Sequence, residues 1–278
     1  MKVAILAGGY GTRLSEETTV KPKPMVEIGC KPILWHIMKH YSFFGFNEFV
    51  VLLGYKGYSI KEYFANYYIH QSDVTIDTAN SSMQIHNNKS EKWKITLVDT
   101  GIDSGTGARI KCARKYIGEE TFMLTYGDGL CDVNLRKLYE FHLTHKKIAT
   151  LTSVLPAGRY GALEFKNDNS ISHFCEKKMG DGNWINGGYF VLDSKIYDYI
   201  RDDDNSIFFE REPLERLASE GELVGMKHEG FWRCMDTLRD KTQLCDLWDK
   251  NEAPWKLWRD EELIVENGTK GKEYVGYA

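Results

Sequence analysis

The first half of the chain alternates short apolar runs with segments whose apolar residues have helical spacing. The runs Val3–Leu6 and Glu48–Gly54 lead into glycines, which is typical of buried parallel strands. Between them, Pro32 opens a helical segment that Gly45 ends. Strands that alternate with helices in this way predict a mostly parallel sheet covered by helices. In such α/β folds, ligands bind at the carboxyl edge of the sheet.

The second half is richer in strands, and turns containing glycine, proline or asparagine separate the candidates. They are Ala149–Leu155, Gly161–Phe165, Ser170–Glu176 and Gly187–Asp193. No linker or internal repeat divides the chain. We therefore predict one α/β domain over residues 1–235, with a mixed, mostly parallel central sheet, flanking helices and small β-rich additions. A helical extension over residues 236–278 is expected to complete the site and to contribute to a subunit interface.

Composition excludes several kinds of partner. The 278 residues carry a net charge of -4, so no global basic field attracts nucleic acid or an anionic membrane. No apolar run approaches the roughly 20 residues that span a bilayer. The six cysteines form no CxxC pair and no zinc spacing, which is typical of reduced thiols. The first residues have the pattern of a strand and not of a targeting segment, and we expect a cytoplasmic protein.

The loop that follows the first strand has the composition of a phosphate-binding site. Glycine amides approach an anion closely because no Cβ intervenes. Leu14 stands where the third glycine of a GxGxxG dinucleotide motif would be, and the chain has no GK[ST] at Walker A spacing. The glycines alone are also consistent with a tight structural turn.

Cationic residues of this loop favour the phosphate-binding interpretation. Arg13 has the planar fork that pairs with phosphate oxygens. Pro22 and Pro24 restrict the backbone around Lys23, so its ammonium is held on a semi-rigid arm.

Six segments carry further motifs: LAGGYGTRL from Leu6, KPKPMVEIGCKPIL from Lys21, TYGDGL from Thr125, EKK from Glu176, INGGYFVL from Ile185 and FWRCMDTLRD from Phe231. Together they resemble the signature of the sugar-1-phosphate nucleotidylyltransferases, over residues 1–258. LVDTGIDSGTGARI and APWKLW are similar to the glucose-1-phosphate cytidylyltransferase branch of that family. Lys178 departs from the pattern, since the family has proline there.

The resemblance implies a single Rossmann-like nucleotidyltransferase domain that transfers a cytidylyl group from CTP to glucose 1-phosphate, with Mg²⁺ as cofactor. CDP-glucose and diphosphate would be the products, for deoxysugar and surface-polysaccharide synthesis such as the O-antigen of lipopolysaccharide. It also implies a homo-oligomer, of which a hexamer is one form. Thymidylyl or uridylyl transfer, and a non-catalytic sugar-nucleotide-binding module, remain alternatives.

Site residues follow from the same resemblance. Arg13, Lys23 and Asp128 are expected to be catalytic, and Asp128 and Asp236 to hold the metal. The expected sugar-phosphate site consists of Tyr126, Gly127, Glu176, Lys177, Asn186, Gly187 and Gly188. The expected nucleotide site consists of Leu6, Ala7, Gly8, Gly9, Tyr10, Gly11, Thr12, Arg13, Lys23, Ser104, Thr106, Gly107, Arg109 and Asp128, and we expect Ser104–Arg109 and the first loop to contact the cytosine base.

Several of these residues have simpler interpretations. Asp128 is also a common turn residue, and Asp236 is also suited to cap the helix that follows it, alone or while binding metal. Thr106 or Ser104 is suited to cap its own helix. We expect His36 and His40 to be ordinary helix residues without a metal role, and His142 and His145 to be exposed.

Overall fold

The computed structural model describes residues 1–156, 162–165, 170–175, 184–201 and 204–259; for 162–165 and 172–175 it describes the backbone alone. The strands are β1 (Lys2–Ala7), β2 (Glu27–Ile28), β3 (Lys31–Pro32), β4 (Glu48–Leu53), β5 (Asp73–Asp77), β6 (Ser82–His86), β7 (Lys94–Asp99), β8 (Phe122–Tyr126), β9 (Gly129–Cys131), β10 (Ala149–Val154), β11 (Ala162–Phe165), β12 (Ile171–Cys175), β13 (Ile185–Leu192), β14 (Leu223–His228) and β15 (Trp232–Cys234). The α-helices are α1 (Ser15–Thr18), α2 (Ile33–Phe43), α3 (Gly57–Ala65), α4 (Tyr67–His70), α5 (Thr106–Ile117), α6 (Leu135–His145), α7 (Glu212–Ser219) and α8 (Leu238–Asp249).

Seven strands form the central sheet in the order β14-β10-β13-β8-β1-β4-β7. Strand β1 pairs in parallel with both β4 and β8, while β13 is antiparallel to both of its neighbours. The predicted mixed, mostly parallel sheet is thus confirmed. The carboxyl ends of β1, β4, β7 and β8 meet at one edge, and the antiparallel strand β13 begins there.

Apolar residues of β1 alternate between two cores, one on each face of the sheet. Val3 and Ile5 pack in the core that includes α2 and α8, whereas Ala4 and Leu6 pack in the core that includes α5 and α7. This alternation follows from the two-residue period of a strand buried on both faces. The helices therefore fix β1 from both sides and hold the loop at its carboxyl end in place.

The described part of the extension after residue 236 packs into the first of these cores. Helix α8 contributes Leu244, and Trp255 is fully buried beyond the end of this helix. The Trp255 indole donates to Nδ1 of His36, and Nε2 of His36 lies 2.9 Å from the Ile28 carbonyl. Burial lowers the pKa of His36 to about 4, so its ring is neutral at pH 7. The division of the chain at residue 236 stays a sequence prediction.

The prediction that the two histidines of α6 are exposed was wrong for both. His145 is half-buried, with its Nε2 2.8 Å from the Thr150 hydroxyl. His142 is buried and contacts the same hydroxyl at 2.8 Å. Its helix, α6, turns this position towards β10. Among the helices of the described residues, none has both the length and the apolar character needed to cross a membrane.

Candidate active site

A cavity of about 510 Å³ opens at the carboxyl edge of the sheet. The loop after β1 forms one wall, the segment between β7 and α5 another, and the turn after β8 the floor. Parallel strands end together at one edge, so residues more than 100 positions apart in the chain line the same space. The lining residues are Leu6–Arg13, Lys23, Pro24, Ile102, Asp103, Ser104, Thr106, Arg109, Tyr126, Gly127, Asp128 and Phe208.

Four charged side chains form a cluster at one end of this cavity. The Lys23 ammonium donates to Asp128 at 2.6 Å and to Asp236 at 2.7 Å, and Arg13 donates to the other oxygen of Asp236 at 2.7 Å. Lys23 lies between Pro22 and Pro24, begins the 3-10 helix Lys23–Met25 and is buried. The Arg13 side chain, in contrast, is 73% exposed. The cluster therefore contains one buried cation, Lys23, and one largely exposed cation, Arg13.

Mutual ionisation stabilises the charges of this cluster. Burial opposes the charge on Lys23, but Asp128 and the hydrogen bonds to both aspartates raise its pKa above the ordinary value. Burial likewise opposes the charge on Asp236, but Lys23 and Arg13 hold its pKa below the ordinary value. Lys23 and Asp236 are therefore both charged throughout the neutral range.

The same cluster has the donor atoms that a divalent cation needs. Carboxylate oxygens of Asp128 and Asp236 and the Sγ of Cys234 lie within 4.8 Å of one another. A cation, the Lys23 ammonium, already lies between the two carboxylates. Mg²⁺ is commonly bound by one or two carboxylates together with phosphate oxygens and water. The residues present therefore fit the predicted metal.

Arg109 organises the opposite wall of the cavity. Its two terminal nitrogens donate to five protein oxygens, the carbonyls of Gly8, Leu53, Gly101 and Ile102 and the hydroxyl of Thr100. The residue is 4% exposed, and a Cβ at Gly8 would lie 2.3 Å from its Nη1. One guanidinium thus ties together the ends of β1, β4 and β7. A direct contact of Arg109 with a base stays a prediction.

A hydrogen-bond network joins the walls on the side of β13. Glu210 accepts from the Tyr126 hydroxyl at 2.6 Å and from the Thr106 hydroxyl at 2.5 Å. The Asn186 amide donates to the Tyr126 oxygen at 3.4 Å. Burial and the neighbouring Glu210 raise the pKa of Tyr126 well above its ordinary value, so the phenol keeps its proton. Gly188 has a φ of +80°, and a Cβ there would lie 2.5 Å from the Tyr126 ring.

Most, but not all, of the predicted site residues lie at the cavity or beside it. Most of the predicted nucleotide-binding residues line the cavity, together with Tyr126, Gly127 and Asp128. Gly107 does not line it and instead donates its amide to the Ile207 carbonyl at 3.0 Å. Asp236 joins the charged cluster, and Asn186, Gly187 and Gly188 lie at the start of β13. Glu176, Lys177 and Lys178 lie outside the described residues.

The alternative capping roles are not found. Thr237 caps α8 in a capping box with Asp240, so Asp236 is one residue too early to be the cap. Gly105 is the N-cap residue of α5, with no side-chain cap. Ser104 instead donates to the Thr100 carbonyl, and Thr106 accepts from the Phe209 amide. Asp128 does lie in a turn, which also places its carboxylate against Lys23.

Sequence reasoning missed several residues of the site, including Pro24, which lines the cavity, and Cys234, which lies with Asp128 and Asp236. Glu210 bridges Tyr126 and Thr106, and Ile102, Asp103 and Phe208 line the cavity. Phe208 is 46% exposed and lies against the guanidinium of Arg211. For Phe208 and Glu210 the signal in the sequence was an apolar pair next to alternating charges, in FFERE, which has many structural explanations; Ile102 and Asp103 lie within the motif LVDTGIDSGTGARI.

Comparisons with known proteins agree with this geometry. The family model described as nucleotidyl transferase matches residues 2–252. Glucose-1-phosphate cytidylyltransferase of Salmonella typhimurium is 54% identical over 93% of this chain and 100% of that protein. The probable glucose-1-phosphate cytidylyltransferase of Bacillus subtilis is 46% identical over 93% of this chain and 100% of that protein. The crystal structure of HddC from Yersinia pseudotuberculosis, 26% identical, has a TM-score of 0.65 and covers 89% of this chain and 99% of that chain.

Proposed function

The chain belongs to the nucleotidyl transferase family, and we propose that it transfers a cytidylyl group from CTP to glucose 1-phosphate, with CDP-glucose and diphosphate as products. One observation carries the choice of substrates: 54% identity over the full length of a curated glucose-1-phosphate cytidylyltransferase. The cavity at the carboxyl edge of the sheet, with its glycine loop and charged cluster, supports the reaction type.

The reaction requires the protein to align the two substrates and to supply positive charge. An oxygen of the sugar phosphate attacks the α-phosphorus of CTP in line, and diphosphate leaves with the electrons of the broken bond. The attacking oxygen is already an anion at neutral pH, so no general base is required. Two polyanions must be brought together, and fixed cations aimed at the charge of the transition state supply most of the rate enhancement at such sites.

Two cations of the cluster have separate proposed roles. Lys23 neutralises the α-phosphate, and its bridging contacts to Asp128 and Asp236 support this because they hold the ammonium at the cavity wall. Arg13 stabilises the leaving diphosphate, and its exposure supports this because most of its guanidinium faces solvent while Nη1 pairs with Asp236. Glu176 and Lys177 are proposed to hold the sugar phosphate, from the sequence motif alone.

A divalent cation is proposed to bind at Asp128 and Asp236, with Mg²⁺ as the ion. When bound, Mg²⁺ supplies charge neutralisation of phosphate oxygens and orients them. The Lys23 ammonium would then exchange its carboxylate partners for phosphate. Since ammonium and Mg²⁺ are both cations, the carboxylates keep a counter-charge throughout this exchange.

A homo-oligomer and a cytoplasmic location are also proposed. Strands β5 and β6 form a hairpin on which Ile76 pairs with Met83, and both side chains are about half exposed. Ile85, also exposed, extends this apolar face. A two-stranded hairpin is at best marginally stable alone. Packing of a second copy of the chain on its apolar face would stabilise it, and this supports the proposed oligomer. Sedimentation of the purified protein tests this: a monomer at micromolar concentration would contradict it.

The function is tested by assaying diphosphate release from each of CTP, UTP, dTTP and GTP with glucose 1-phosphate and Mg²⁺. We expect CTP to have the highest kcat/KM, because uracil reverses the hydrogen-bonding pattern of cytosine at two ring positions. Each mismatched buried group costs about 1–3 kcal/mol, so two give roughly 30-fold or more. A higher kcat/KM for dTTP or UTP would identify thymidylyl or uridylyl transfer. Nucleotide binding without diphosphate release would indicate a non-catalytic module.

A further inference from the structure

Cys234 lies beside the carboxylate pair because of the way two short strands pair. Strand β15 is antiparallel to β9, and their register places Cys234 opposite Gly129, the residue after Asp128. The next residue, Met235, donates its amide to the Asp128 carbonyl at 2.8 Å. Asp236 follows directly. A thiol and two carboxylates are therefore brought together by backbone pairing and not by flexible side chains alone.

This thiol differs from the other cysteines of the described residues. Cys30 and Cys112 are exposed, Cys131 is buried in the core, and Cys245 is half-buried with its Sγ 3.9 Å from the Glu27 carbonyl. Cys234 is half-buried, and its Sγ lies within 4.8 Å of the nearest carboxylate oxygens of both Asp128 and Asp236. The three donors thus form a mixed oxygen–sulfur set at the wall of the cavity.

We propose that Cys234 lets this carboxylate pair take up a thiophilic divalent cation, Zn²⁺ or Cd²⁺, in place of Mg²⁺. The inference rests on the proposed metal site of the transferase. Thiolate sulfur favours soft or borderline cations, whereas Mg²⁺ favours oxygen. Binding forms one metal–sulfur bond, the thiol proton passes to solvent, and no electron is transferred.

Such a cation would inhibit the transferase. Zn²⁺ is commonly four-coordinate, so three protein ligands leave one position for a phosphate oxygen. Mg²⁺ on two carboxylates leaves several positions for phosphate oxygens and water. The Lys23 ammonium would also have to leave the space between the carboxylates. The enzyme is therefore expected to be more sensitive to Zn²⁺ and Cd²⁺ than a form without this thiol.

The binding test uses Cd²⁺ alone, without nucleotide or sugar phosphate. Thiolate-to-Cd²⁺ charge transfer absorbs in the ultraviolet, and we expect Cys234→Ser to lose one equivalent of this absorption. Cys112→Ser is the matched control, since Cys112 is exposed and has no place in the cluster. Asp236→Asn should weaken the same equivalent about tenfold or more. Equal Cd²⁺ absorption and affinity in wild type and Cys234→Ser would overturn the proposal.

The second test measures Zn²⁺ inhibition at fixed Mg²⁺, as a fraction of the activity of each variant. We expect the half-inhibiting Zn²⁺ concentration to rise about tenfold in Cys234→Ser and to stay unchanged in Cys112→Ser. Equal inhibition of all three proteins would overturn the inhibitory role. The Cd²⁺ measurement needs no substrate, so it can be interpreted even if the protein does not transfer cytidylyl groups. The diphosphate-release assay can likewise be interpreted if Cys234 does not bind Cd²⁺.

Discussion

Two cationic side chains at opposite walls of one cavity have different partners. Lys23 pairs with the carboxylates of Asp128 and Asp236, while Arg109 is bound almost entirely by backbone carbonyls. Both side chains are nearly buried, at 9% and 4% exposure. Phosphate can replace the carboxylate partners of Lys23, and a metal ion can take the place of its ammonium between them. The partners of Arg109 are strand ends, which cannot be exchanged without opening the sheet.

This difference separates chemistry from architecture within one site. A buried cation held by carboxylates remains available to a competing anion, so the charged cluster is suited to phosphoryl transfer. The terminal N–H groups of Arg109 already donate to protein oxygens, so few donors remain for a ligand. The guanidinium instead fixes the loop after β1 against the ends of β4 and β7. We therefore expect substitutions at the first wall to act on turnover and those at the second wall on stability.

The largest effect is expected at the carboxylates. Asp128→Ala and Asp236→Ala should each lower kcat by roughly 10²–10³, as the loss of one electrostatic contact at a reacting centre does. Steady-state kinetics at saturating Mg²⁺ measure this, with circular dichroism to show that the fold persists. Near wild-type turnover in either variant would remove the proposed metal role from that residue.

Lys23→Ala is expected to lower kcat about 10²-fold and to raise KM for CTP less than tenfold. The ammonium is placed to meet charge that shifts during transfer, so it acts most in the transition state. Lys23→Arg should be nearly as poor, because a planar fork does not replace a compact ammonium. If only KM changed, Lys23 would bind the nucleotide without a role in the chemical step.

Arg109→Met should lower the free energy of unfolding by at least about 2 kcal/mol. It removes five hydrogen bonds from a charged donor, each worth about 1.5–3 kcal/mol, while the Gly8 and Leu53 carbonyls keep the amides of Tyr55 and Thr100 as donors. Arg13→Ala is the matched control, since its exposed ion pair is worth less than about 1 kcal/mol. Urea unfolding compares them, and equal losses would contradict the division between the two walls.

The smallest effect is expected on stability in acid, where Asp236 becomes protonated. The pKa of Asp236 is lowered by Lys23 and Arg13, so its contribution to stability is present above its ordinary pKa of 3.8 and disappears as pH falls through the folded value. Wild type should therefore lose its stability advantage over Asp236→Asn in strong acid, while the carbonyl contacts of Arg109 do not titrate.

Acid affects both proteins through buried histidines as well. The pKa of His36 and His40 is about 4, below the ordinary 6.5, so stability should fall from pH 6.5 downwards in wild type and variant alike. The difference between the two urea titrations isolates Asp236. A difference that stayed constant down to pH 2 would contradict the ion pairing of Asp236.

Local sequence patterns were enough for much of the fold. Apolar runs and flanking glycines predicted β1 and β4, because a strand buried on both faces has few alternatives. The boundary between α3 and α4 at Asn66 has no such signal in the sequence. The hairpin β5–β6 and helix α6 were not predicted at all. The apolar residues of the hairpin are exposed, so its pattern is weak, whereas α6 has Leu135, Leu138 and Tyr139 at helical spacing and was overlooked.

By itself the sequence determined the alternation of strands and helices in the first half, the glycine loop, and the candidate residues Arg13, Lys23, Asp128 and Asp236. Only the tertiary structure decided which groups are partners. Nothing local tells that Arg109 would bind three strand ends, that Glu210 would bridge Tyr126 and Thr106, or that Cys234 would face two carboxylates. The physical reason is that most of these contacts join residues 56 to 104 positions apart and depend on the packing of the whole sheet, whereas strand and helix signals depend on a few neighbouring residues.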